Sequence, residues 1–163
     1  MKYKIEVVIC SILILLTVAF VWNNSAKTIP ESMNDTNIAA KVVEKIADKV
    51  DRTDKKKFES YNSFLKYLRK CAHAIEFFSL GAEIAAFSLI IRKKFKPQNL
   101  WNILSSVLAI AVVDEAIQIF SGRGPAVQDV ILDFCGALVG VLLVLLIGFI
   151  IASLKGRKKY AKA

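Results

Sequence analysis

Four blocks of apolar residues alternate with charged connectors along this chain. They run Ile5–Trp22, Cys71–Ile91, Leu100–Phe120 and Val130–Leu154, each close to the ~20 residues of helix that cross the hydrocarbon core of a bilayer. The pattern predicts an all-α polytopic membrane protein with four transmembrane helices. The first and last blocks are nearly free of charge. Cys71–Ile91 instead carries His73, Glu76 and Glu83, and Leu100–Phe120 carries Asp114, Glu115 and Gln118. Val130–Leu154 carries Asp133, one turn beyond Asp129 at its mouth. An ionisable side chain at the centre of a spanning helix costs at least ~2.5 kcal/mol, so such groups persist where they face a protein interior or a wet cavity.

The connectors carry their own signals. Asn23–Asn34 is polar, holds Pro30 and reads as a loop. Beyond it Ile38, Val42, Val43, Ile46 and Val50 recur at helical spacing, with Lys41, Glu44, Lys45 and Asp48 on the other face. This predicts an amphipathic helix outside the bilayer, lying on its surface or over the mouth of the bundle. Asp51–Ser63 is hydrophilic and reads as a linker, and Phe64–Leu68 as an interfacial turn leading into the second span. Pro97 closes the next loop. Ser121–Pro125 holds two glycines and a proline and predicts a tight turn. Gly136 and Gly140 form a G-x-x-x-G spacing that lets helices approach closely.

Charge orients these elements. The formal net charge is +9, concentrated at Lys2 and Lys4, in the Arg92–Gln98 loop, and in the tail from Lys155. With four spans these three basic pieces share one side, and short basic loops stay in the cytoplasm. The expectation is a multi-pass protein of the cell membrane with both termini cytoplasmic and Asn23–Lys70 outside. Positive charge at membrane edges suits anionic lipid head groups and argues against nucleic acid as a partner. Asn23–Ala26 lacks the small-x-small pattern of signal cleavage, so the first span reads as an uncleaved anchor. The three cysteines, Cys10, Cys71 and Cys135, form no C-x-x-C pair and read as free thiols.

Depth brings the polar residues together. At ~1.5 Å per residue, His73 and Glu76 lie about 4–5 and 9 Å inside the second span. Gln118, Glu115 and Asp114 lie about 5, 9 and 10 Å from the same surface, and Asp133 about 6 Å. Three helices thus carry polar groups at one depth in the outer leaflet. His73 and Glu76 share a face and suit an acid–base pair. Which of Asp114 and Glu115 points inward is open. Arg69, Lys70 and Arg123 at the rim suit a carboxylate or phosphate. Clustered carboxylates suit Mg2+ or Mn2+, but no tight ligand motif appears, so no metal or cofactor is assigned. No Ser/His/Asp order, nucleophile elbow or phosphate loop is present. Glu83 lies deeper, either as a buried acid with one partner or as part of a pathway.

The ordered string is informative as a whole. It reads Arg69-Lys70-x-x-His73-x-x-Glu76-Phe77, Leu80-Gly81, Asp114-Glu115-x-x-Gln118-x-Phe120, Gly122-Arg123, Asp129, Asp133, Gly136-Ala137 and Gly140. Across Lys70–Val141 it resembles the VanZ-like family of bacterial membrane proteins, whose founding member is linked to teicoplanin resistance. The first span with Ser25 resembles the family's start. The proline after the third span is displaced to Pro125. The resemblance implies a cell-envelope role without fixing a reaction, and it frames four regions. Residues 1–22 form an N-terminal transmembrane anchor and 23–63 an extracytoplasmic segment with the amphipathic helix. Residues 64–154 form a three-helix membrane core and 155–163 a basic cytoplasmic tail. Three functions stay open. One is a protein that binds a lipid-linked or cell-wall-related ligand at the outer leaflet through Arg69, Lys70, Glu115, Gln118, Arg123 and Asp133. Another is an enzyme acting on a phosphorylated lipid through His73, Glu76, Asp114 and Asp129. The third is a structural partner whose polar cluster only joins helices. Membrane lipids are partners in each, and the oligomeric state is open.

Overall fold

The computed structural model of the chain describes residues 2–27, 55–91, 97–122 and 126–160. Four helices fill them: α1 (Lys2–Ala26), α2 (Lys55–Ile91), α3 (Pro97–Phe120) and α4 (Val127–Tyr160). Each contains a segment long and apolar enough to cross a membrane, of 24, 26, 22 and 28 residues in chain order. No strand occurs among the described residues. The expected amphipathic helix over Ile38–Val50 and the residue Arg123 lie outside the described residues.

Two boundaries differ from expectation. Asn23–Ala26, read as the start of a loop, is the last turn of α1. Asn24 and Ser25 in this turn find partners on neighbouring helices, as described below. Lys55–Ser63, read as part of a linker, is helical and continuous with the second span. Nothing between Lys55 and Lys70 breaks a helix: the stretch holds no Gly and no Pro. At the start of α3, Pro97 occupies the first helical position, where its missing N–H forfeits no hydrogen bond. Gly122 ends α3 with φ at 76°, a left-handed conformation that a Cβ would disfavour, and its N–H donates to the Ile119 carbonyl at 3.2 Å.

α2 and α4 share the most extensive contact in the bundle. Glycines make it a backbone-on-backbone crossing. Gly81 of α2 lies against Ala137, while Gly136 and Gly140 of α4 lie against the carbonyls of Ala74 and Phe78. A Cβ at any of the three would overlap a main-chain oxygen. All four helices feed one core, built from Val21, Phe77, Leu80, Val107, Ala111 and Ala137. A second cluster, Ala85, Ile103 and Val141, continues it toward the other end. The outward faces stay apolar: Leu15 is 68% and Phe149 71% exposed. In water such a surface would drive association, and in a bilayer it is simply the lipid-facing side.

Candidate functional site

His73 sits on α2 at the level where α1 and α3 end and α4 begins. Both of its ring nitrogens face carboxylates. Nδ1 is 3.1 Å from Glu76 Oε2, one turn along the same helix, and Nε2 is 2.8 Å from Asp114 Oδ2 on α3. A neutral ring donates to one of these at a time, whereas an imidazolium donates to both. Phe77 meets the ring edge-on at a centroid distance of 5.5 Å. The buried side of the imidazole is thus walled by apolar core.

Asp114 is fully buried. Its Oδ2 accepts from the Ser25 hydroxyl at 2.8 Å and from Gln118 Nε2 at 3.2 Å, besides facing His73. Its Oδ1 has no hydrogen-bond partner. Glu76 Oε1 accepts from Asn24 Nδ2 at 2.8 Å. Asp133, brought in by the close α2–α4 crossing, places Oδ2 3.7 Å from His73 Nε2, beyond hydrogen-bond reach. It is only 1% exposed, and neither of its carboxylate oxygens has a hydrogen-bond partner. One end of the bundle therefore holds a buried network of His73, Glu76, Asp114, Gln118 and Asp133, closed from α1 by Asn24 and Ser25.

The remaining residues expected at the site take other positions. Asp129 turns to Lys70 and forms an ion pair at the rim. Arg69, the preceding residue, is half-buried. Asp114 and Glu115 are both buried and serve different neighbours. While Asp114 meets His73, Glu115 Oε1 accepts the N–H of Ala126 at 2.5 Å. That places a carboxylate at the start of α4, where the helix dipole favours negative charge. Glu83 lies ten residues from His73, about 15 Å along α2. Its Oε1 accepts from Thr17 at 2.9 Å and its Oε2 is buried without a partner.

Sequence reasoning missed the donors of α1. Asn24 and Ser25 follow Trp22 directly, and the loop reading of Asn23–Asn34 gave them no partner. The available signal was their position within one helical turn of an apolar span, at the depth already assigned to the acids. Ser121 strengthens this junction: its hydroxyl lies 3.0 Å from the carbonyls of both Ser25 and Gln118, tying the ends of α1 and α3.

The chemistry on offer is that of acceptors. Buried carboxylate oxygens without a hydrogen-bond partner suit hydrogen-bond donors or a cation. An imidazole between two carboxylates suits proton transfer. His73, Asp114 and Asp133 each offer one ligand atom, all within 4.8 Å of one another. A family model described as VanZ/LLP1 matches residues 8–148, from the second turn of α1 well into α4. No curated protein and no solved structure matches the chain.

Proposed function

This chain belongs to the VanZ/LLP1 family, and we propose that it is a membrane protein of the bacterial cell envelope that binds or handles a lipid-linked, cell-wall-related ligand. In this reading the site opens to the outer leaflet, and its occupation alters susceptibility to the glycopeptide teicoplanin. The observation that carries it is the acceptor cluster that three helices bring together at one end of the bundle, with oxygens of Asp114 and Asp133 that have no hydrogen-bond partner. Hydroxyl and amide groups of a sugar–peptide head group are donors of the kind that cluster accepts. The hydrocarbon chain of such a ligand runs along the exposed apolar faces of the helices. Lys70, paired with Asp129 at the rim, suits a linking phosphate that would take the place of that carboxylate. The orientation rests on charge. Lys2, Lys4 and the Lys155–Lys159 stretch lie at the helix ends away from the cluster, and basic segments of this kind favour the cytoplasm.

The test is expression of the wild type, Asp114→Asn and Asp133→Asn in a teicoplanin-sensitive bacterium at matched membrane levels. Teicoplanin susceptibility and the pools of lipid-linked precursors, read by mass spectrometry, are expected to shift with the wild type and return to baseline with both variants. Variants that act like the wild type at equal abundance sink the proposal.

A second reading is favoured by one observation: His73 is held by carboxylates on both nitrogens, as a general acid–base group would be. A membrane enzyme acting on a phosphorylated lipid would use His73 with Glu76 and Asp114. It predicts turnover of a purified lipid phosphate that His73→Gln abolishes. Binding without turnover selects the first reading.

A further inference from the structure

We infer that His73, Asp114 and Asp133 form a binding site for one divalent transition-metal ion of the class that accepts mixed nitrogen and oxygen ligands, such as Mn2+ or Zn2+. Three features converge on it. The first is spacing. Metal–ligand bonds of about 2.0–2.2 Å put neighbouring ligand atoms about 3–3.6 Å apart. Around His73 Nε2 the carboxylate oxygens of Asp114 and Asp133 lie at 2.8 and 3.7 Å, and all three ligand atoms lie within 4.8 Å of one another.

The second is an unanswered carboxylate. Asp133 is 1% exposed, is aimed at the His73 ring, and has no hydrogen-bond partner on either oxygen. Asp114 Oδ1, equally buried, has none either. Buried carboxylates without partners are costly, and a cation answers them. The network itself holds carboxylates of Glu76, Asp114 and Asp133 against a single imidazole, with no Lys or Arg among its described members. Lys70, nearby in sequence, is engaged by Asp129.

The third feature is support from behind. A metal-bound imidazole typically donates its other ring N–H to a carboxylate, which fixes the tautomer and the ring plane. Glu76 stands in that position at Nδ1 and is itself held by Asn24. With the proton on Nδ1, the Nε2 lone pair is free to bind an ion, and the oxygens of Asp114 and Asp133 lie 2.8 and 3.7 Å from that nitrogen. Ser25 and Gln118 hold the Asp114 carboxylate in the same way. The imidazole ligand sets the metal class, since Mg2+ and Ca2+ prefer oxygen throughout.

The inference goes beyond the ligand reading above and does not depend on it: an ion held through Asp114 Oδ2 and Asp133 Oδ2 leaves Asp114 Oδ1 and Asp133 Oδ1 for a head group, and the metal is counted with no lipid precursor present. The full chain is purified in detergent, stripped with a chelator and dialysed against Mn2+ or Zn2+. Bound metal is then measured by mass spectrometry and Mn2+ by electron paramagnetic resonance. One ion per chain is expected, together with a rise in the melting temperature of the wild type. Asp133→Asn, which keeps the side-chain shape, is expected to weaken binding at least tenfold. Glu76→Gln, which alters the support of His73 without removing a ligand atom, is expected to weaken it by about 10–100-fold while one ion still binds at saturation. Absence of stoichiometric metal and of a thermal shift in the wild type overturns the inference. So does Asp133→Asn with wild-type affinity, or equal preference for Mg2+.

Discussion

Replacing Gly136 by alanine adds a single methyl group at the α2–α4 crossing, and the structure predicts that this reaches the polar site. The new Cβ would overlap the Ala74 carbonyl oxygen, with the Ala74 carbonyl carbon 3.2 Å and Cα 3.3 Å away. All three are backbone atoms of a continuous helix, so no rotamer change makes room. The helices must part by about 1 Å, a gap that forfeits a quarter to a half of the dispersion attraction between facing atoms. Overpacking of this kind costs about 1–3 kcal/mol. For a chain of this size each kcal/mol is about 2–4 °C in melting temperature, so Gly136→Ala should melt roughly 2–12 °C lower. Gly148→Ala is the internal control, because its new Cβ meets only the side-chain tip of Leu89 at 3.3 Å. The melts can be read from the two tryptophans in detergent or by differential scanning fluorimetry. Ala74 adjoins His73, and Gly136 lies one turn from Asp133. The same separation therefore draws Asp133 Oδ2 away from its 3.7 Å approach to His73 Nε2, and activity in the susceptibility assay should fall with stability. Gly136→Ala melting with the wild type, or Gly148→Ala losing as much, would refute the backbone-contact account.

Ser25→Ala removes one of the side-chain donors on buried Asp114 Oδ2 and is expected to cost about 1–3 kcal/mol, read as a lower melting temperature; an unchanged melt would mean that water replaces the hydroxyl. The Lys70–Asp129 pair has side chains 40% and 20% exposed, so solvent screens it, and a double-mutant cycle with Lys70→Met and Asp129→Asn should give a coupling below about 1 kcal/mol. A coupling well above that would place the pair in a drier setting than its exposure indicates. An epitope tag after Ala163 is expected to resist protease in intact cells and to be digested after permeabilisation; digestion in intact cells would reverse the orientation inferred from the basic tail.

Much of this architecture was legible because a bilayer simplifies the problem. Apolar length alone marks Ile5–Trp22 and Val130–Leu154, and a helix of known rise converts residue number into depth. His73, Glu76, Asp114 and Asp133 could therefore be placed at one level before any contact was known. Phase was harder. Asp114 and Glu115 differ by about 100° around α3, and whether either faces the interior depends on how many neighbours α3 has. The fold gives it two directions to serve: Asp114 turns to His73 and Glu115 to the start of α4. The end of α1 was not legible because a polar residue in a loop and one in a satisfied helical turn look alike in sequence. Asn24 and Ser25 become helical features only once Glu76 and Asp114 stand opposite them. The same ambiguity hid the start of α2, where Lys55–Ser63 lacks the apolar stripe that separates helix from linker. Its helical propensity and the absence of breakers were the available clue.

The tie between Ser25 and Asp114 also bears on how the protein is made. The serine emerges from the ribosome 89 residues before its acceptor, so the first helix enters the bilayer with a hydrophilic turn whose partners are not yet synthesised. Asn24 gains Glu76 with the second helix, and Ser25 gains Asp114 with the third. Asp133 comes last, on the fourth. A translation product that stops before the fourth helix therefore lacks Asp133, and the cluster is complete only once all four helices are present.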